Sequence, residues 1–335
     1  MILVCGGLAD VVTELFCARL EDLGYPYRLL DLGFYPERFQ VSWSWDGPTP
    51  TGLIHGPDWT LDLQQISGVF VRYIGRDGHA PLAQVPELLV DAVLAEAQSG
   101  LGALLETLPV PVANRMTGSM SNHSKPYQAL LIRDSGLGTP PTLITSDPEA
   151  ARAFYEQHQG QVIFKSLSGV RSIVRRMHAG DLLRLHLVRD CPVQFQAYLP
   201  GDNIRVHTVG ETVFATRIHS AAVDYRYARQ QGATSEMQPT ELPAEVAAAC
   251  VRLAARLGLV IAGIDLKCTP DGAYYCFEIN PSPGFAYYEQ HTGQPISAAL
   301  ADALRSTSAQ GGDARDDLAR VAAVSVSASA PDQQR

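Results

Sequence analysis

The sequence predicts an α/β protein assembled from several α+β subdomains, and three stretches carry that reading. Near the start, ILVCGG is followed by DVVTELFCARLEDLG, with apolar residues at helical spacing, and then by YPYRLLDL. Strand, helix and strand in that order favour an open parallel sheet covered by helices. In the second half, CPVQFQAYLPGDNIRVHTVGETVFATRI reads as three strands joined at Pro200-Gly201 and Gly210-Glu211. Further on, LVIAGIDLKC turns at TPDG and returns as AYYCFEINPSPG, an apolar hairpin carrying Asp265, Glu278 and Asn280.

The remaining elements follow in chain order. VSWSWDGPTPTGLIHGPDWTLDLQQ has the pattern of small antiparallel strands and turns, ISGVFVRYIG that of a buried strand, and a helix is expected from about Pro86 to Leu105. Arg72 and Arg76, at and after the end of that buried strand, carry the charge to hold a substrate carboxylate; ordinary surface arginines are the equal alternative. Ser124 or Asn122 can cap a helix from about Pro126 to Ser135, stopped by Gly136 and Gly138. QVIFK ends in Lys165, and the small-residue turn Ser168-Gly169-Val170-Arg171-Ser172 leads into a second short strand, SIVRR. From Ser306 onward the chain is rich in Ala, Ser and Gly and reads as a mobile tail.

At 335 residues the chain is too long for one ordinary core and suits two or three subdomains around a shared cleft. No apolar run approaches the roughly 18 to 20 residues that span a bilayer, so no membrane partner is expected. The six cysteines are scattered without a CxxC pair, which suits reduced thiols in a cytoplasm. A formal charge of −9 argues against a general nucleic-acid binder. An acidic protein that takes a polyphosphate must therefore gather positive charge locally.

The hairpin states the chemical problem. An isolated carboxylate in an apolar segment costs several kcal/mol unless a partner makes its charge favourable. A hard divalent cation is such a partner, because Mg²⁺ takes one or two carboxylates together with phosphate oxygens. Ion pairs with Lys267 or an arginine are the alternative. A two-residue loop at Pro270-Asp271 would pair Gly263 with Glu278 and Asp265 with Cys276, putting Asp265, Glu278 and Asn280 on one face. Pro-Asp-Gly also suits a turn ending in a Gly bulge, which would reverse that relation unless a second bulge restores it.

Two lysines stand where cations are costly. Lys125 falls at the very start of its helix, where the dipole disfavours a cation and favours an anion, so it makes more sense if phosphate also visits. Lys165 follows the apolar VIF of a strand, and the turn at Ser168 and Gly169 can bring backbone N–H groups close to phosphates. PVQFQAYL is apolar enough to form a wall for a flat base, and the next strand presents Arg205.

These pieces, in this order, resemble the ATP-grasp superfamily from about Ser119 to Leu304. They are nearest to its bacterial glutathione synthetase and ribosomal-protein glutamate ligase branch, with the related graspetide macrocyclases that tailor peptides. The resemblance implies an ATP-grasp fold behind an N-terminal open-sheet domain. It divides the chain into residues 1–115, a central subdomain at 116–198, a C-terminal subdomain with the metal site at 199–305, and a tail at 306–335. It implies that Lys125 and Lys165 contact the nucleotide phosphates beside Ser168 and Gly169. Gln194, Gln196, Ala197, Tyr198 and Leu199 would hold adenine, with Asp202 counted among the nucleotide contacts. Asp265, Glu278 and Asn280 would ligate two Mg²⁺ ions, for which Mn²⁺ can substitute. Arg205, Arg217 and Arg226 would bind the transferring phosphate and the substrate. Two positions depart from the family pattern: Asn203 stands where an acid is usual and Gln196 where a glutamate is expected.

The implied activity is an ATP-dependent carboxylate-amine ligase. The substrate carboxylate attacks the γ-phosphate, an amine attacks the acyl phosphate, and ADP and phosphate leave, so catalysis is positioning and charge neutralisation. The expected substrate is an amino acid or small peptide. Tailoring of a precursor peptide is the alternative, since HTGQPISAALADAL and DYR resemble that branch, and a non-catalytic ATP-binding regulator is a third reading. A homo-oligomer is compatible with the sequence.

Overall fold

A computed structural model of the chain describes residues 1–167, 174–220 and 235–305. By internal contacts it divides into two units, residues 1–116 with 297–335, and residues 117–296. The expectations for Ser168, Gly169, Arg226 and the tail from Ser306 fall outside the described residues.

In the first unit, β1 (Ile2–Gly6), α1 (Val11–Asp22) and β2 (Tyr27–Asp31) form the strand-helix-strand opening. The strands β3 (Gln40–Ser44), β4 (Thr51–His55) and β5 (Thr60–Asp62) make a small antiparallel sheet. β6 (Gly68–Val71), α2 (Glu87–Thr107) and β7 (Val112–Ala113) follow. The main sheet runs β2-β1-β6-β7 with every neighbour parallel, as the alternation predicts. Its apolar strands pack Leu3, Cys5, Val69 and Val71 with Leu101, Leu104 and Leu105 of α2. Asp10 starts α1, accepting from the Thr13 N–H at 3.0 Å, and also receives Arg72 at 2.7 and 3.1 Å. Arg76 is ion-paired with Glu87 and Asp91. Arg72 and Arg76 thus have carboxylate partners within the chain itself.

The composition of α2 departs from the expectation that no apolar run is long enough to span a bilayer. It is 21 residues long, holds an 18-residue window of mean hydropathy 1.5 and passes that test by length and composition. Leu94, Leu101, Leu104 and Leu105 are buried, the last three in the core of this unit, while Leu88 and Leu89 are exposed.

The second unit contains two antiparallel sheets. After a short helix α3 (Met116–Ser119), α4 (Lys125–Asp134) begins at Ser124, whose side chain accepts the Tyr127 N–H, and ends at Gly136. Next come β8 (Thr142–Thr145), α5 (Pro148–Gln157), β9 (Val162–Lys165), β10 (Arg175–Arg176) and β11 (Val193–Ala197). They form a sheet in the order β10-β9-β11-β8. Phe195, Val162 and Ala151 of α5 make its core with Leu185 and Val188 of the 3₁₀ segment Ala179–Arg189.

The larger sheet contains β12 (Asp202–Val209), β13 (Thr212–Ser220), β14 (Ser235–Thr240), β15 (Ile261–Cys268) and β16 (Tyr274–Asn280) in the order β14-β13-β12-β15-β16. α6 (Ala244–Arg256) and α4 cover one face, burying Ile204, Val206, Ala215, Ile264 and Ile279 against Leu131, Ala249 and Leu253. α7 (Phe285–Thr292) follows β16, and α8 (Ile296–Arg305) sends its residues from Ser297 on back to the first unit. All six cysteines are free thiols.

Candidate nucleotide and metal site

The register of β15 and β16 decides whether the acids of the hairpin can act together. The observed pairs are Cys268 with Tyr274, Lys267 with Tyr275 and Leu266 with Cys276, then Asp265 with Glu278 and Gly263 with Asn280. The two-residue loop with its Gly263–Glu278 and Asp265–Cys276 pairs is therefore corrected. Thr269 N–H donates to the Ala273 carbonyl at 2.9 Å, and Gly272 takes the left-handed φ of 83° that a Gly bulge requires. That extra residue would have turned Glu278 away from Asp265. A second irregularity between Asp265 and Leu266 leaves Phe277 without a cross-strand partner in the ladder and restores the relation. Residues opposite one another in an antiparallel pair share a face, so Asp265, Glu278 and Asn280 stand on one side.

Arg205 lies opposite Asp265 on β12, and its Nη1 donates to Asp265 Oδ1 at 2.8 Å. One of the hairpin acids thus has the arginine partner foreseen as an alternative to a metal. The same face presents His207 opposite Gly263, and Tyr288 of α7 lies against both His207 and Arg205. Asn280 Oδ1 accepts from Ser282 N–H at 2.8 Å, which aims its amide. Gln128 of α4 bonds the backbone of Ile279 twice, at 2.7 and 3.3 Å, and so fastens the helix headed by Lys125 to the strand between Glu278 and Asn280.

Arg217 and Asp202 fall elsewhere. Arg217 is opposite Ile204, and side chains alternate along a strand, so it stands on the helix-covered face, away from Arg205. There it pairs with Asp202 at 3.4 Å, and His219 approaches the same carboxylate at 3.3 Å. The sequence order ATRIHS places Arg217 near the site along the chain, but the strand's period of two points it the other way.

The smaller sheet has a polar face of its own. Lys165 is opposite Gln194, and Gln196 is opposite Ile163, so Lys165, Gln194 and Gln196 share the side away from Phe164 and Phe195. All three are buried. Gln196 Nε2 donates to Thr142 Oγ1 at 2.9 Å, but Gln194 Oε1 and Gln196 Oε1 are buried with no hydrogen-bond partner among the described residues. Two such orphaned acceptors are costly, and they suit a ligand that brings hydroxyl or amino donors, as a nucleoside does. Beyond them, the Ala197 and Tyr198 N–H groups donate to Pro141 and Gln161 carbonyls at 2.9 Å each, leading to Leu199.

The donor set on the larger sheet suits a cation shared with phosphate. Two carboxylates and one amide oxygen, half-buried, are too few for a closed cage and match what Mg²⁺ takes when phosphate and water complete its shell. Among the described residues no three His, Cys, Asp or Glu side chains gather as a metal site. Beside this set, burial and then the charge of Arg205 hold the His207 imidazole well below its usual value, so it is neutral. Nothing in the sequence spacing of His207, Gly263 and Tyr288 marks them as neighbours of Arg205.

Residues 121–304 match the model of the RimK-like ATP-grasp domain, more than half of the chain. The chain belongs to the RimK-like ATP-grasp family. It is 25% identical over 219 residues to a "Probable alpha-L-glutamate ligase" of Pseudoalteromonas translucida, covering 62% of this chain and 72% of that protein. The structure of the ATP-grasp ligase PsnB with its minimal precursor matches at a TM-score of 0.73 and 29% identity, covering 91% of this chain and 98% of that one. The macrocyclase MdnC of Microcystis aeruginosa, bound to precursor peptide MdnA, shares the fold at a TM-score of 0.75 and 24% identity, over 91% and 99% of the two chains. The protein is thus an ATP-grasp ligase that uses ATP and Mg²⁺ to form carbon-nitrogen bonds.

Proposed function

We propose that this ligase activates a carboxylate as an acyl phosphate and joins it to an amine of a peptide substrate, releasing ADP and phosphate. The observation that carries the site is Arg205 clasped to Asp265 on the face that also bears Glu278 and Asn280. Those three side chains would hold two Mg²⁺ ions, or Mn²⁺ in their place. Lys125, Lys165 and Arg205 would neutralise the transferring oxygens, helped by Ser168 and Gly169, while Gln194, Gln196 and the segment to Leu199 receive the nucleoside. Mg²⁺, when bound, would offset the rest of the negative charge on the phosphates. Arg226, which lies outside the described residues, remains a candidate to bind the substrate; Arg217 and Asp202, on the other face of the sheet, would act on the site only through the strands that carry them.

The peptide reading is supported by likeness along nearly the whole chain to PsnB, a protein complexed with its precursor. It is also supported by a cavity of about 230 Å³ on the side of the smaller sheet away from Lys165, lined by Phe164, Phe195, Met177 and Leu185. Arg175 and Arg184 stand at that cavity, while its Asp181 accepts the His178 N–H at the start of the 3₁₀ segment. An apolar floor with arginines beside it fits an apolar side chain flanked by acids on a peptide. Addition of a free amino acid is the second reading, favoured by the alpha-L-glutamate ligase relatives. The four-part division of the chain, a cytoplasmic setting for the six free thiols and a homo-oligomer belong to the same proposal.

ADP release measured against amino acids, amines and short acidic peptides, with mass spectrometry of the products, separates the readings. A peptide that loses one water per bond formed supports tailoring. A peptide that grows by an amino-acid residue supports the second reading. ADP formation without any ligation would point to a kinase.

A further inference from the structure

The guanidinium of Arg205 does not stay in its own row of the sheet. Arg205 is opposite Asp265, and the next row on the same face pairs His207 with Gly263 and Gly263 with Asn280. A Cβ on Gly263 would fall inside the guanidinium, 2.6 Å from Arg205 Cζ, and 2.8 Å from Pro283 Cβ. The head of Arg205 thus lies over the Gly263 backbone, with one arm on Asp265, Tyr288 beside it at 5.7 Å from ring centre to Cζ, and Pro283 behind. Gly263 is fully extended within β15 and takes no left-handed φ, so backbone freedom is not what its position requires. What it supplies is the missing side chain.

We propose that Gly263 is a positioning residue of the ligase site, its bare backbone forming the seat that aims Arg205 between Asp265 and Asn280 toward the nucleotide phosphates. The proposal deepens the nucleotide-site reading above and rests on it for the role of Arg205. A side chain at 263 meets the guanidinium on one side and the buried Pro283 on the other, so Arg205 has to leave this seat to make room for it.

The test is a double-mutant cycle of Gly263→Ala and Arg205→Ala on the full chain, read by thermal melting without nucleotide and by affinity for Mg²⁺ with the non-hydrolysable analogue AMPPNP. Coupled residues give non-additive losses, whereas independent ones add. In the native background G263A should lower the melting temperature clearly; with R205A present the seat is vacant and only the contact with Pro283 remains, so the fall should be smaller. Each single variant should weaken AMPPNP binding by roughly tenfold, and the double variant should lie within about threefold of R205A alone. If G263A does not fold but G263A/R205A does, the seat is demonstrated directly. Equal falls in melting in both backgrounds, multiplied affinity losses, or a double variant that also fails to fold would overturn the proposal. Failure of wild-type protein to bind Mg²⁺ and AMPPNP would instead sink the nucleotide-site reading, while the nucleotide-free melting cycle still decides the seat.

Discussion

Arg205 and Asp265 face each other across β12 and β15, joined at 2.8 Å, with the arginine side chain only 7% exposed. A buried cation that loses a carboxylate partner is left in a medium that solvates it poorly, and breaking such a pair costs about 3 kcal/mol or more. Asp265→Ala should therefore destabilise the fold by about that amount in urea unfolding. Glu278→Gln should leave the apoprotein melting temperature close to wild type, yet abolish the added stability that Mg²⁺ and ATP give together. Equal losses of fold in the two variants would show that Glu278 serves the hairpin rather than a metal.

Lys165 carries its charge on the other sheet. It is buried at the end of β9 beside Gln194, where an ammonium is costly without an anion. Lys165→Met should bind ATP at least tenfold more weakly, about 1.4 kcal/mol or more. Calorimetric titration of both proteins with Mg²⁺ and ATP checks it. Unchanged affinity would remove Lys165 from the phosphate site.

His207 makes stability depend on pH in a known direction. Its folded pKa lies well below the unfolded value of 6.5, because it is buried and then because Arg205 is near. Below pH 6.5 the unfolded chain takes up a proton that the folded chain refuses, so stability falls as pH falls, by up to about 1.4 kcal/mol per pH unit. His207→Gln cannot titrate, so its melting temperature should vary less between pH 7 and pH 5 than that of wild type, by roughly the share this one group contributes. An identical slope in both proteins would show that His207 is solvated.

The cavity beside the 3₁₀ segment separates substrate capture from chemistry. Arg184→Glu reverses the charge at its edge without touching the polar face of β9 and β11. If acidic peptides dock there, this variant should lower the rate of peptide modification severalfold through KM, and leave the affinity for ATP as it was. A loss confined to kcat would argue against docking at this place.

Much of the site was legible along the chain. The apolar hairpin with two acids and an amide, and the lysines placed after VIF and at a helix start, are local features, and each sets out an unpaid electrostatic cost that a short stretch of sequence displays in full. The strand-helix alternation of the first thirty or so residues likewise becomes a parallel sheet, because hydrophobic period and connection length are local properties too. Ser124 begins its helix for the same reason, since a cap needs only the residues that follow it.

Relations across strands are different in kind, because one residue of slippage turns every side chain to the other face. Whether Asp265 and Glu278 could cooperate depended on Gly272 in the turn and on Phe277 dropping out of the ladder, and the letters permit either outcome. The same alternation removed Arg217 and Asp202 from the face where their order along the chain had put them. The seat of Arg205 on Gly263 joins residues 58 positions apart through an absent side chain, which no spacing can announce. From the sequence alone come the residues that need a charged partner; only the folded sheet, through its register, chooses which of them share one.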